Sequence, residues 1–217
     1  MVIFMSDNGP NPWYSEDYPG NRGSAWFKQF DNSIDNLGHP RSNYAYGPGW
    51  AEASAGPLSL FKLTVGEGGI RAPLLMHGPG VKGGRQTDSF TYVWDIMPTM
   101  LELAGINHPE EYKGRKVKPM RGKSLQGVLS GATKTVRDET QFVVGEMGGA
   151  GRWIRQGDYK AVWNAPPYGD EKWRLFNVVE DPGETRDLAK ELPEKVKILK
   201  AAGQRYVEDV GVVSSGD

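Results

Sequence analysis

Apolar residues come in short bursts along most of this chain, and in one long helical period near its end. Met1 to Ser6, with Val2, Ile3 and Phe4, reads as a buried strand closed by the turn signal Asp7-Asn8-Gly9. Ala72 to Met76 reads as a second buried strand. Between them, residues 9–57 hold no sustained strand or helix period. They are rich in Gly, Pro, Asn and aromatic residues and read as a long loop, a kind that tends to be functional. Leu58 to Lys62 reads as a short helix. Asp95 to Ala104 reads as a fuller one, with Asp95 as its N-cap and Pro98 in the first turn. Its Ile96, Met97, Met100, Leu101 and Ala104 follow helical spacing, and Gly105 terminates it. Gly122 to Gly131, with Ser124 to Leu129 at its centre, reads as a further short helix after a basic stretch from Lys113 to Lys123 that reads as a solvated face.

The texture changes near residue 138. Gln141–Gly145, Arg152–Arg155, Tyr159–Trp163 and Trp173–Asn177 are four short strand candidates separated by turn signals, a spacing that suggests an antiparallel sheet. Pro193 to Val210 then predicts an amphipathic helix with Val196, Leu199, Tyr206, Val207 and Val210 on one face. Four strands with one packed helix make a small α+β subdomain. The chain therefore divides into an α/β portion, residues 1–136, and this subdomain, residues 137–217. A chain that opens on a buried strand is expected to continue a longer one, so the first portion is read as incomplete.

Charge and composition narrow the partners. The 26 Lys and Arg against 27 Asp and Glu leave a net charge of -1, with no basic excess to bind nucleic acid. No apolar run reaches the roughly 18 residues that a membrane span needs. Cysteine is absent, which removes disulfides, thiolate metal sites and a cysteine nucleophile. That suits a reducing compartment but does not decide between a bacterial cytoplasm and periplasm.

Three places carry candidate chemistry. Asp7 and Asn8 offer two hard oxygen ligands at the end of a strand, where open α/β sheets bind ligands, and Ca²⁺ or Mg²⁺ suits such donors. Asp-Asn-Gly is equally a common turn sequence. Lys62, in a mostly apolar stretch before Glu67-Gly68-Gly69-Ile70-Arg71, has the character of a point charge for a tetrahedral oxyanion; the alternative is an ordinary solvated lysine. Trp13, Tyr14, Trp26, Phe27, Tyr44, Tyr46 and Trp50 either pack the long loop onto the body or line a pocket. His39, His77 and His108 have no metal-ligand spacing, and neither a Gly-x-Ser-x-Gly elbow nor a P-loop is present.

The order of the motifs adds what no single one carries. Strand-Asp7-Asn8-Gly9 comes first, then Gly47-Pro48-Gly49-Trp50-Ala51, then Leu60-Phe61-Lys62 before Glu67-Gly68-Gly69-Ile70-Arg71-Ala72-Pro73. Asp95-Ile96-Met97-Pro98-Thr99 and Leu175-Phe176-Asn177, followed by Glu180-Asp181-Pro182-Gly183-Glu184-Thr185, complete the series. Together they resemble the C-terminal half of type I sulfatases, and the aromatic segment resembles the bacterial arylsulfatase branch. The resemblance implies an alkaline-phosphatase-like α/β domain, of which 1–136 is the C-terminal part, followed by the small subdomain. It implies Asp7 and Asn8 as ligands of a divalent cation, usually Ca²⁺ with Mg²⁺ possible, and Lys62 as a contact to sulfate oxygens. It implies a sulfate-ester small molecule as substrate and a formylglycine nucleophile from a Cys/Ser-x-Pro-x-Arg motif in the N-terminal half. This chain has no cysteine and no serine in that context, so on its own it is expected to be inactive. A strand Val2–Met5 without its central-sheet neighbours is expected to present an apolar edge and to favour self-association. The alternatives are a phosphodiesterase or phosphonate monoester hydrolase of the same superfamily, and a non-catalytic ligand-binding module.

Overall fold

Antiparallel pairing governs every sheet among the described residues. The computed structural model describes residues 1–18, 20–147 and 151–211; residues 212–217 of the second expected domain lie outside them. In chain order the elements are β1 (Val2–Met5), α1 (Gly47–Ala55), the single helical turn α2 (Glu67–Ile70), β2 (Leu74–His77) and α3 (Ile96–Ala104). The small strands β3 (Glu111–Tyr112) and β4 (Arg115–Lys116) and the helix α4 (Gln126–Ser130) follow. The chain ends in β5 (Phe142–Met147), β6 (Gly151–Gln156), β7 (Tyr159–Asn164), β8 (Arg174–Asn177) and α5 (Pro193–Val210).

These elements form two compact units, Met1–Met5 with Leu74–Gln141, and Ser6–Pro73 with the chain from Phe142 onward. The division in space is thus not a single cut at 136. The stretch from Ser6 to Pro73 belongs with the sheet β5–β8, because buried ion pairs and hydrogen bonds described below tie it there.

In the first unit β1 pairs with β2, Val2 opposite His77 and Phe4 opposite Leu75. The reading of β1 as a buried strand is corrected. Val2, Phe4 and Leu75 are 63%, 66% and 61% exposed, and only Ile3 is half-buried. Among the described residues β2 is the sole partner of β1, so one ribbon face has nothing to pack on. Helix α3 follows a short 3-10 turn, Val93–Asp95, and ends at Gly105 in the left-handed conformation. Asp95 is in the N-cap position but does not cap α3. Its buried carboxylate instead accepts from the amides of Tyr92 (2.7 Å) and Lys123 (2.8 Å) and from both terminal nitrogens of Arg137 (2.7 and 2.6 Å). Thr99, also buried, joins the same junction by donating to the Asp95 carbonyl and accepting from the Leu125 amide. The anchor of α3 is therefore polar, and the expected apolar face leaves Met97 and Met100 about half exposed.

The second unit is built on the sheet β5-β6-β7-β8. One register row crosses all four strands as Val144, Ile154, Ala161 and Leu175. This row packs against Leu199 and Ala202 of α5, with Val196 and Tyr206 at its margin. The adjacent row, Val143, Arg155, Lys160 and Phe176, necessarily points to the other face. Strand alternation thus separates an apolar face from one that carries two cations. Val207 and Val210, expected on the packed face of α5, are half-buried and exposed.

Two further expectations are corrected. Residues 47–55 are not loop but α1, whose Gly47, Ala51 and Ala55 are buried at a spacing of one turn. Leu58 to Lys62 is not helical, because Leu60 and Leu63 adopt positive φ, 60° and 75°, which interrupts any helical run. Past β8, the Asp181 carboxylate accepts from the amides of Thr185 and Arg186 and from the Thr185 hydroxyl, forming the turn that presents Glu184. The Arg186 and Thr185 amides hold the Asp181 carboxyl below its ordinary value.

Two measurements check this account. Leu199→Ala removes a fully buried side chain from the α5 face and is expected to cost about 2–5 kcal/mol in urea unfolding monitored on the sheet. Since folding depresses the Asp181 pKa, its contribution is present above the unfolded value of 3.8 and lost as pH falls through the folded one. An NMR acid titration should therefore show the Thr185 and Arg186 amide resonances moving below pH 3.8, and an unshifted midpoint there would contradict it.

Candidate functional site

Two stretches far apart in sequence run side by side in the second unit. The Gly9 amide donates to the Gly69 carbonyl at 2.9 Å, and the Lys62 amide donates to the Pro10 carbonyl at 3.0 Å. The Ser6 amide reaches the Pro73 carbonyl at 3.4 Å. The segment that bears Asp7 and Asn8 therefore lies along the segment that bears Lys62 and α2. Glycine makes this approach possible: a Cβ on Gly9 would stand 1.7 Å from the Gly68 carbonyl oxygen, and one on Gly68 would stand 2.1 Å from that of Leu60. The third residue of Asp-Asn-Gly is thus present for a close backbone contact, which the turn reading of the tripeptide does not explain.

Around these backbones the candidate side chains stand free. The Ser6 hydroxyl donates to the Asn8 carbonyl at 2.8 Å. Asp7 is exposed, and Asn8 and Lys62 are half-buried. Among the described residues the Asp7 carboxylate, the Asn8 amide and the Lys62 ammonium have no hydrogen-bond or ion-pair partner within the chain. A carboxylate and an amide oxygen are suitable donors for a hard cation, but Ca²⁺ takes about six to eight oxygens. The two side chains therefore fit part of a coordination sphere. No group of three or more His, Cys, Asp and Glu that could hold a metal gathers among the described residues. His39 and His77 are exposed and His108 is half-buried.

The aromatic stretch is less packed than the loop-packing reading holds. Tyr14, Trp26, Tyr44, Tyr46 and Trp50 are exposed, Trp50 at 69%. Trp13 is half-buried and meets Tyr18 edge-on at 5.1 Å between ring centroids. Tyr14 and Tyr46 form an isolated antiparallel bridge that closes the stretch on itself just before α1.

The sequence reading missed the charges that hold the Lys62 segment in place. Lys160, the second residue of β7, is fully buried. Its ammonium lies 2.9 Å from Glu67 Oε1 and 3.1 Å from Glu184 Oε1, and both carboxylates are almost completely buried. Glu184 Oε2 accepts from the Glu67 amide at 2.8 Å and from the Ser59 hydroxyl. Arg71, half-exposed, stands 3.9 Å from Glu67 Oε2. Arg155, beside Lys160 in register, is pushed below its ordinary value by burial, and the negative charge of Glu67 opposes that push. A second tether runs from Asn164 Oδ1, at the end of β7, to the Val65 amide at 3.3 Å. The partners lie 93 and 117 residues apart in sequence, so no spacing pattern announces them. The one available signal is a lysine within the otherwise apolar run Tyr159-Lys160-Ala161-Val162.

Known proteins give this geometry a family. Residues 60–208 match the family described as N-sulphoglucosamine sulphohydrolase, C-terminal. An uncharacterized sulfatase of Schizosaccharomyces pombe is 38% identical over 220 residues, covering 100% of this chain and 39% of that protein. An arylsulfatase of Klebsiella aerogenes is 36% identical over 144 residues, covering 64% of this chain and 30% of that protein. The chain thus spans well under half the length of these relatives. Among solved structures, Ps i-CgsB in complex with a neocarrahexaose superposes with a TM-score of 0.63 at 20% identity, over 94% of this chain and 36% of that one. A Bacteroides thetaiotaomicron protein of glycosaminoglycan metabolism superposes with a TM-score of 0.61 at 22% identity, over 96% and 38%. These likenesses establish the α/β, alkaline-phosphatase-like fold with its four-stranded antiparallel sheet and closing helix. On the family match and the two relatives together, this chain belongs to the sulfatase family.

Proposed function

We propose that this chain supplies one side of the active site of a sulfuric ester hydrolase acting on sulfate esters of small molecules. The observation that carries the reading is the backbone pairing of residues 9 and 10 with 69 and 62, which sets Asp7, Asn8 and Lys62 on adjoining segments. Asp7 and Asn8 are the side chains that would hold a divalent cation, Ca²⁺ or else Mg²⁺, with further oxygen ligands from outside this chain. Such a cation offsets the negative charge of the ester when bound. Lys62 places a compact positive charge where a sulfate oxygen can meet it, favouring the charge that grows as the ester bond breaks. The formylglycine nucleophile would come from a Cys/Ser-x-Pro-x-Arg motif beyond these 217 residues, since none occurs within them.

Two outcomes test this reading. The purified chain with Ca²⁺ should hydrolyse an aryl sulfate no faster than its Lys62→Ala variant. When it is expressed together with the product of the coding sequence preceding Met1, turnover should appear, and Lys62→Ala should lower kcat/KM by about 10²-fold or more. If that preceding sequence lacks the motif and the joint product leaves aryl sulfates intact, the hydrolase reading is lost. The exposed row Val2, Phe4 and Leu75 carries a second expectation, self-association through β1. Light scattering should report a mass that rises with concentration and falls back toward one chain in a Phe4→Lys variant; a constant monomer mass for the unaltered chain argues against it.

A further inference from the structure

Among the described residues Lys62 makes no hydrogen bond or ion pair to the sheet, yet its segment is held from both sides. Toward Asp7 and Asn8, the Lys62 and Gly9 amides make the two backbone bonds at 3.0 and 2.9 Å. Toward the sheet, Ser59 and the Glu67 amide bind one oxygen of Glu184, and the Glu67 carboxylate binds Lys160. These attachment points bracket Lys62, three residues before it and five after it. The Gly68 amide adds a bond of 2.7 Å to the Ser59 carbonyl, closing residues 59–68 into a loop. Two groups of the sheet hold this bracket: Asn164, whose Oδ1 accepts from the Val65 amide at 3.3 Å, and Lys160, which brings a charge to it and is 0% exposed.

We propose that Lys160, clamped between Glu67 and Glu184, is the positioning residue of the Lys62 loop: it fixes where Lys62 stands against the segment Asp7–Pro10. This rests on the reading of Lys62 as a sulfate contact, and it extends that reading to the C-terminal sheet, which then takes part in anion binding without touching the anion. Charge balance explains the arrangement. Two carboxylates in a dry site repel unless a cation lies between them, and Lys160 is within 3.1 Å of both. Without that cation, Glu67 and Glu184 must separate or seek water, and the loop that carries Glu67 is the part able to move. The α5 face of the sheet, made of the opposite register row, is left intact.

Amide hydrogen exchange by NMR tests this on the chain alone. In Lys160→Met, exchange at Gly9, Lys62 and Gly68 should accelerate at least tenfold, while Ile154, Ala161 and Leu175 in the sheet stay within threefold of the unaltered chain. Glu184→Gln keeps the size of the side chain and weakens the same clamp, and it should show the same selectivity to a smaller degree, which covers the event that Lys160→Met does not fold. Unchanged exchange at Gly9 and Lys62, or equal acceleration in loop and sheet, overturns the proposal. Titration with inorganic sulfate separates it from the reading beneath it. If sulfate does not shift the Phe61, Lys62 and Leu63 amide resonances, or shifts those of Phe61 and Leu63 equally in Lys62→Ala, the sulfate contact fails while the exchange result still judges the clamp. If sulfate binds through Lys62, Lys160→Met should weaken it at least tenfold, and equal affinity sinks the positioning role.

Discussion

A single buried ammonium organises the second unit of this protein. Moving an ion such as Lys160 out of water costs several kcal/mol even after relaxation, and only close opposite charges with good geometry offset it. Glu67 and Glu184 meet that condition at 2.9 and 3.1 Å. The consequence is directional. An apolar contact tolerates sliding and repacking, whereas a buried ion cluster loses its hydrogen bonds when its members move apart by about an ångström, and its desolvation is then no longer offset. The loop that carries Lys62 therefore has one favourable seat on the sheet, and the closing segment that carries Glu184 shares it.

The sheet accommodates this because its two faces do different work. Lys160 and Ala161 are neighbours in β7, yet the first lies in the ion cluster and the second in the apolar core with Leu199. Pleating alone produces that separation. It also makes the register strict, because a slip of one residue would place Lys160 against Leu199 and Ala161 against Glu67. The hydrophobic row supplies cohesion with α5, and its rigidity gives the charged row a fixed platform.

The same logic explains what could be read in advance. The four strands announced themselves as short apolar bursts between turn signals, and α5 through a helical apolar period, since these signals lie close together in sequence. Helix α1 did not, because its buried positions are Gly47, Ala51 and Ala55, small residues that give little contrast with the rest of the stretch. Leu58–Lys62 looked helical by composition, but Leu60 and Leu63 take positive φ in a loop shaped by its contacts with the glycines. Asp95 was legible as a helix start and not as the buried partner of Arg137, 42 residues away. For the site, local pattern offered only a turn and a lysine; the order of motifs supplied the family, and the Glu67–Lys160–Glu184 cluster stayed hidden because its members meet only after folding.

The candidate side chains and their support differ in a way that bears on chemistry. Asp7, Asn8 and Lys62 have no internal partners among the described residues, whereas Glu67, Lys160 and Glu184 are engaged with one another and shielded from water. A lysine already paired to a carboxylate would have to break that pair to meet a sulfate oxygen, and the loss would be subtracted from binding. An unpaired, half-buried Lys62 avoids that loss, but an unpaired charge has nothing of its own to hold it. Position must then come from the backbone. Here the backbone of the Lys62 loop is fixed by Gly9 and Pro10 on one side and by the buried cluster on the other. Placing the rigid charges where water is absent, and the free ones where a ligand can reach them, lets one loop be both firmly seated and open to binding.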